Sequence, residues 1–266
     1  MKTNVEHVYD KEDIKLQLEL LGIKKGMVVY VESNYKEFGY ISGGVQTLLD
    51  ALMETVGYEG TIVMGTYTYD LLDPCMNEDY NINREYYEAI RNDMKAFDKK
   101  LSKPYKMDIV NEQLLRNEGV ARSYHPYVSF CAWGKYAKII CEKHPLHFGL
   151  SNESPLGKLL EFNGYCILLG RSFKECEIFH LAQYNSNNLS VVLKKAPISE
   201  KNLIVWKTML DLELNHEGFD EIGEMMLERG VVKTASVGEA KLKLFSCREA
   251  VKLGTAYINA ANYIRD

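Results

Sequence analysis

The chain has 266 residues, enough for one large or two small domains and enough to bury roughly 70–75% of its unfolded surface without disulfides or metal. Apolar residues make up 46% and charged residues 26%, which excludes the disordered and collagen-like classes. With 32 basic and 37 acidic residues the net charge is −5, so no general attraction to nucleic acid or to an anionic membrane is expected.

Asp10-Lys11-Glu12-Asp13 begins a helix with acids in its first turn, Ile14, Leu16, Leu18, Leu20 and Leu21 supply its apolar face, and Gly22 ends it. Met27 to Val31 reads as a strand behind Gly26. A polar loop from Glu32 to Gly39 follows, then a helix on Val45, Leu48, Leu49, Leu52 and Met53, then a second strand, Thr61 to Met64. Strand–loop–helix–strand is α/β grammar, with the two strands parallel. Thr66 to about Met107 breaks this pattern. It is rich in tyrosine, Asp and Asn, shows one helix near Tyr86 to Met94, and is either a substrate-binding lid or a surface excursion. Leu156 to Leu160 is helical, Tyr165 to Leu169 is a buried strand closed by Gly170, and a helix follows around His180 to Tyr184. Leu203 to Trp206 and Val232 to Ala235 read as strands, Phe219 to Arg229 as a helix closed by Gly230, and Arg248 to Tyr263 as the last helix. The expectation is one α/β domain over 1–266, helix/sheet/helix in layers around a largely parallel or mixed sheet, with an irregular aromatic and acidic insertion at about 66–107.

Six cysteines lack any C-x-x-C pair and read as free, mostly buried thiols, which favours a reducing cytoplasm. Met1 to Glu6 has no apolar signal core, and no apolar run approaches the 18 residues a membrane span needs. His125, His144, His147 and His180 crowd the middle of the chain. Pro145 interrupts the His144/His147 spacing and no H-x-x-x-H or Cys–His pattern is present, so no metal is expected. His180, on an apolar helix after a strand and a glycine, is either a hydrogen-bonded core residue or a proton-transfer group at the carboxyl end of a sheet. Arg122, Ser123 and His125 have the chemistry to hold a phosphate or a carbonyl oxygen. Ser129 stands outside any G-x-S-x-G elbow.

The run from Arg122 to Ala137 resembles the pattern R-S-x-H-P-x-x-S-x-x-A-x-G-x-x-A. His144 to Pro155, with Gly149, Ser154 and Pro155, is similar to a second block, and Ile167-Leu168-Leu169-Gly170 followed by Phe179-His180-Leu181-Ala182 is similar to L-L-L-G followed by L-H-x-A-E. These signatures resemble the aminoglycoside 3-N-acetyltransferase family over about residues 10 to 260. The resemblance implies acetyl transfer from acetyl-CoA, a co-substrate, to an amine of an aminoglycoside or related amino sugar, in a cytoplasmic enzyme linked to antibiotic resistance. It implies His180 as general base on the attacking amine, Glu112 as an orienting or second acid, and Ser129 as a catalytic hydroxyl. It implies a CoA channel lined by Ser33, Asn34, Tyr35, Phe38, Gly39, Arg122, Ser123 and His125, and an acceptor site drawn from Tyr67, Tyr69, Asp70, Asp98 and Gln183. Small molecules are the only partners implied, and a homodimer is left open. This chain departs from the family pattern at Glu32, where a histidine is usual, at Gln183, where an acid is usual, and at Asp108, where a glycine is usual. Asp70, Asp73, Glu78, Asp79 and Asp98 are available to compensate the charge lost at Gln183. The rival readings are a CoA-binding paralogue without the reaction, an acyltransferase for a different amine, and a metal hydrolase on the histidine cluster.

Overall fold

A computed structural model describes residue 5, residues 7–187 and residues 190–265; Met1 to Asn4 and Glu6, which carried the reading of the chain's start, lie outside the described residues. In chain order the elements are β1 (Val8–Tyr9), α1 (Lys11–Leu21), β2 (Val28–Ser33), β3 (Tyr40–Ile41), α2 (Val45–Val56), β4 (Thr61–Gly65), α3 (Tyr87–Asp93), α4 (Ile109–Leu115), β5 (Ala121–Arg122) and β6 (Phe130–Gly134). They continue with α5 (Ala137–Glu142), α6 (Pro155–Glu161), β7 (Tyr165–Leu169), α7 (Ile178–Tyr184), β8 (Val191–Glu200), β9 (Leu203–Leu212), α8 (Phe219–Glu228), β10 (Lys233–Val237), β11 (Ala240–Ser246) and α9 (Cys247–Arg265).

Seven strands form one mixed sheet in the order β10-β11-β7-β2-β4-β6-β5. The predicted parallel pair is β2 and β4, with Val28 opposite Thr61, and β7 lies parallel on the other side of β2. The remaining neighbours are antiparallel. Side chains alternate across the sheet as the pleat requires. Val28, Tyr30, Cys166 and Leu168 enter a core covered by α5 to α9, while Val29, Val31, Ile167 and Leu169 enter a second core beneath α1, α2 and α4. The fold is the expected layered α/β arrangement.

α1 runs from an Asp10–Asp13 capping box to Gly22, whose φ of 107° closes the helix as a left-handed cap. Its buried face is narrower than expected. Ile14, Leu18 and Leu21 follow the helical period, whereas Leu16 and Leu20 fall on the opposite side and are exposed. Five cysteines are buried, Cys75 is exposed, and all six are free, as expected. No helix among the described residues is long and apolar enough to cross a membrane.

The parallel strands set the position of the site. β2, β4 and β7 all end on one side, and from there the chain continues into the opening loop, the 66–107 insertion and the turn into α7. Gly170 marks how closely these approach: a Cβ there would stand 3.0 Å from the Asn34 carbonyl oxygen and 2.8 Å from Glu37 Cβ, and φ is +71°.

His125 and His144 stack inside this framework with ring centroids 4.5 Å apart. His144 Nε2 donates to the Gly149 carbonyl at 2.7 Å, and its Nδ1 accepts from Ser123 Oγ at 2.9 Å. His125 Nδ1 accepts from the Val128 N–H at 3.1 Å. Burial drives both imidazoles down, His144 to about 4 and His125 well below the usual histidine value. At His144 the unfolded chain therefore takes up a proton near pH 6.5 that the folded chain refuses until about pH 4. Stability is unaffected above that window and falls through it, by roughly 2–3 kcal/mol for His144 alone. Urea midpoints measured from pH 7 to pH 4.5 should fall, and His144→Gln should flatten the decline; an identical pH slope in the variant would contradict this account.

Candidate active site

A cleft of about 510 Å³ opens beyond the carboxyl ends of the parallel strands. One wall belongs to the insertion, through Tyr69, Asp70, Leu72, Met76, Asn77, Glu78, Asp79, Tyr105 and Lys106. The opposite wall is the antiparallel ribbon of β8 and β9 and the turn after it, through Val192, Lys194, Asp211, Leu212, Glu213, Leu214 and His216. Tyr127, Val128, Leu150, Glu177 and His180 complete the lining. The insertion is thus a wall of the cleft rather than a surface excursion. Six carboxylates face it against two lysines, so its field favours cations.

His180 is almost fully buried, at 6% exposure, with one edge on the cleft. Its Nδ1 lies 2.9 Å from Gln183 Oε1, and Gln183 Nε2 donates to the Asn215 carbonyl at 2.9 Å. A carbonyl only accepts, so the Gln183 nitrogen is committed to Asn215 and its oxygen must accept from His180. The neutral ring therefore carries its proton on Nδ1 and keeps a lone pair on Nε2. That nitrogen is 3.7 Å from Glu177 Oε2, and the His216 ring is centred 5.1 Å away.

Glu32, buried at the end of β2, accepts the Glu177 N–H on both carboxylate oxygens at 3.0 and 3.1 Å, which fixes the start of α7. Burial drives its carboxyl up to about 8, and the Arg171 guanidinium and the Glu177 N–H work against that rise. Asp211 is held by the hydroxyls of Tyr127, at 2.5 Å, and Tyr184.

Several expected site residues have other places. Gln183 stands behind His180 rather than on the cleft surface, so it orients the ring instead of meeting the acceptor. Ser129 is fully buried, donating to the Thr66 carbonyl at 2.7 Å and accepting from Arg122, with no face on the cleft. Glu112 pairs with Arg116 on α4, outside the lining. Arg122 spends its guanidinium on the carbonyls of Thr66, Lys99 and Ser102 and on the Thr66 and Ser129 hydroxyls, and burial lowers it to about 10. Ser123 and His125 belong to the buried histidine stack.

In the opening loop, Ser33 Oγ donates to Asp108 at 3.0 Å and the Tyr35 N–H donates to the same carboxylate at 2.8 Å. Asp108 also caps α4, so the residue that departs from the family pattern clamps this loop to that helix. Phe38 is buried in the core with the half-buried Tyr35 ring stacked on it, Asn34 is half-buried and Gly39 is exposed. Tyr67 lies buried, edge-on to Tyr69 and Phe130. Asp98 accepts the Lys100 and Leu101 N–H groups of its own loop. Asp73, at 1% exposure, is matched by Arg91, which overcomes the cost of burial and holds its carboxyl at about 2. Tyr69, Asp70, Glu78 and Asp79 do line the cleft.

Glu177, Asp211, Glu213 and His216 were not singled out in the sequence. The signal for Glu177 was present, three residues before His180 and so on one helical face. No local signal marked His216 or Asp211. His144 and His147 do not converge: His147 Nδ1 accepts the Leu210 N–H at 2.9 Å, while His144 sits in the stack. The metal-ligating groups that do converge among the described residues are Glu177–His180–His216 and Glu32–Cys166–Cys176.

A family profile described as aminoglycoside 3-N-acetyltransferase matches residues 30–259. The SPbeta prophage-derived aminoglycoside N(3')-acetyltransferase-like protein YokD of Bacillus subtilis (strain 168) is 37% identical over 242 residues, 91% of this chain and 89% of that protein. The aminoglycoside N(3)-acetyltransferase IX of Micromonospora chalcea is 29% identical, covering 93% of this chain and 92% of that protein. The crystal structure of YokD superposes with a TM-score of 0.94 at 35% identity, over 97% of this chain and 96% of that one. That of the aminoglycoside acetyltransferase AAC(3)-Xa superposes with a TM-score of 0.89 at 29% identity, over 96% and 94%.

Arg122→Met should cost about 3 kcal/mol or more, because it strands several buried acceptors at once. Chemical denaturation checks this, and Arg122→Lys should recover only part of the loss. A variant of wild-type stability that binds CoA poorly would return Arg122 to the ligand-binding role the sequence suggested.

Proposed function

Because the chain belongs to the aminoglycoside 3-N-acetyltransferase family, we infer that it transfers acetyl from acetyl-CoA to an amino group of an aminoglycoside or a related polyamino sugar. One observation supports this reading above the others: a histidine whose Nδ1 proton is fixed by Gln183 presents its free Nε2 to an acidic cleft.

The chemistry needs no covalent enzyme intermediate. An ammonium cannot attack a thioester, so a base near neutral pKa is required. The bound ammonium first releases one proton to solvent, and His180 Nε2 then accepts a second proton from the neutral amine as its nitrogen bonds to the thioester carbonyl carbon. The C–S bond then breaks, and the imidazolium returns the proton to the departing thiolate, giving the amide and free CoA. Gln183 keeps the ring in the accepting tautomer throughout. Glu177, beside Nε2, attracts the incoming ammonium and steadies the imidazolium formed in the transition state. Asp70, Glu78 and Glu213 offer further anchors for a substrate with several ammonium groups. In this reading CoA enters from the side of the opening loop, past Asn34, Tyr35 and Gly39. Holding amine and thioester together supplies up to ~7–11 kcal/mol of the barrier reduction in well-oriented cases.

A thiol-release screen with acetyl-CoA over aminoglycosides and simple amino sugars should give turnover with at least one of them. CoA binding by calorimetry with no turnover on any amine would favour the non-catalytic paralogue. His180→Ala should lower kcat by on the order of 10²-fold or more while CoA still binds; unchanged turnover would remove His180 as base. Gln183→Leu should lower kcat by about 10–100-fold by releasing the tautomer. Gln183→Glu places a negative charge on Nδ1 and favours the imidazolium, so the acidic limb of kcat/KM should move to higher pH by about one unit. An unmoved limb would mean that residue 183 does not act through His180.

A further inference from the structure

Glu177, His180 and His216 form a cluster that the acetyl-transfer chemistry uses only in part. Glu177, which precedes the first residue of α7, and His180 within it stand one turn apart, and His216 comes from the turn that precedes α8. Their ligating atoms all lie within 4.8 Å of one another, with Glu177 Oε2 and His180 Nε2 at 3.7 Å. In a tetrahedral zinc site with bonds of ~2.0–2.1 Å, donor atoms stand about 3.4 Å apart. The two ligands that must move, Glu177 and His216, have cleft-facing side chains, and His216 is exposed, so closing the remaining gap requires only rotamer adjustment.

The outer shell is already in place. A metal-bound histidine donates its second N–H to a carbonyl or carboxylate, which fixes tautomer and ring direction. His180 does this to Gln183 Oε1, and the same amide bonds the Asn215 carbonyl, next to His216. One side chain thus ties both histidine-bearing segments together. Two imidazoles and one carboxylate, with a fourth position open to the cleft, suit zinc and its neighbours rather than calcium or magnesium, which prefer all-oxygen sites.

We propose that Glu177, His180 and His216 bind a divalent transition metal, zinc above all, and that the bound metal blocks acetyl transfer. The inhibition rests on the reading of His180 as base, because metal and proton compete for one lone pair on Nε2. Zinc acts here as an inhibitor competing with the amine, not as a cofactor.

Metal-free protein titrated with zinc by calorimetry, in a Cys75→Ser background to remove the exposed thiol, should bind one equivalent. Cobalt should give the absorption of a tetrahedral site. His216→Ala and Glu177→Gln should each weaken zinc by at least tenfold. Acetylated amine, read by mass spectrometry because the released thiol itself binds zinc, should fall at least tenfold at saturating zinc. Each variant's inhibition midpoint, taken relative to its own chelator-treated rate, should rise in step with its loss of affinity. Absence of stoichiometric binding, or binding indifferent to both substitutions, overturns the proposal. Zinc bound at these residues with no loss of activity overturns the inhibitory half of it. Zinc bound there by a protein that transfers no acetyl group supports the site and overturns the acetyltransferase reading instead.

Discussion

The Gln183 side chain has only one way to satisfy both of its ends. Its nitrogen faces the Asn215 carbonyl, an acceptor, so its oxygen faces His180 and takes the Nδ1 proton. Everything chemical in the cleft follows from that assignment, since it leaves Nε2 as the nitrogen able to receive a proton from a substrate or to bind a metal. The pattern the chain resembles has an acid where Gln183 stands. A carboxylate would perform the same orientation and add a charge. The amide keeps the direction of the ring and drops the charge, so this chain separates two effects that an acid combines.

The position of α7 rests on another polar contact, between a buried carboxylate and a main-chain N–H. Glu32 ends the central strand β2, and its two oxygens share the Glu177 N–H, 145 residues away in the chain. A seven-residue helix gains little stability from its own hydrogen bonds. Its apolar residues Ile178, Phe179, Leu181 and Ala182 bury it in the core, and Glu32 anchors its first turn. Where the resembling pattern has histidine, an acid here costs desolvation, as its raised carboxyl shows, and Arg171 and the Glu177 N–H offset part of that cost.

The middle of the sheet was legible because β2, β4 and β7 are short apolar runs between glycines, and β10 was readable at one edge, whereas β5, β6 and β11 were not read from the sequence. α1, the β2–β4 pair, β7, α7, α8 and α9 were all readable in this way. The β8–β9 ribbon was not, apart from the start of β9. Its first strand, with Pro197 and Lys194-Lys195 inside it, lacks clean alternation, and only pairing with β9 makes it a strand. That ribbon supplies Asp211 and leads to Glu213 and His216, so the missed element hid one wall of the cleft. The R-S-x-H-P segment showed the converse problem. Its motif was plain, yet its side chains lie inside, where Arg122 ties Lys99 and Ser102 of the insertion to Thr66, just after β4, and His125 stacks on His144. A polar motif in sequence marks residues that need partners, and here the partners are the protein's own carbonyls.

The Gln183 side chain is neutral, and the negative charge of the cleft is spread along its walls. Asp79 is already matched by Lys106 and Asp211 by two tyrosine hydroxyls, while Asp70, Glu78 and Glu213 enter no ion pair among the described residues. Charges spread along opposite walls do not bind a single ammonium tightly, since each contributes about 1 kcal/mol through water. They favour a cation that carries several positive groups spaced across the cleft, which gains from all of them at once. The same spacing disfavours a simple monoamine, which can neutralise only one. Among the described residues Glu177 is the carboxylate in ion-pair range of His180, 3.7 Å from Nε2, while the other cleft carboxylates stand along its walls.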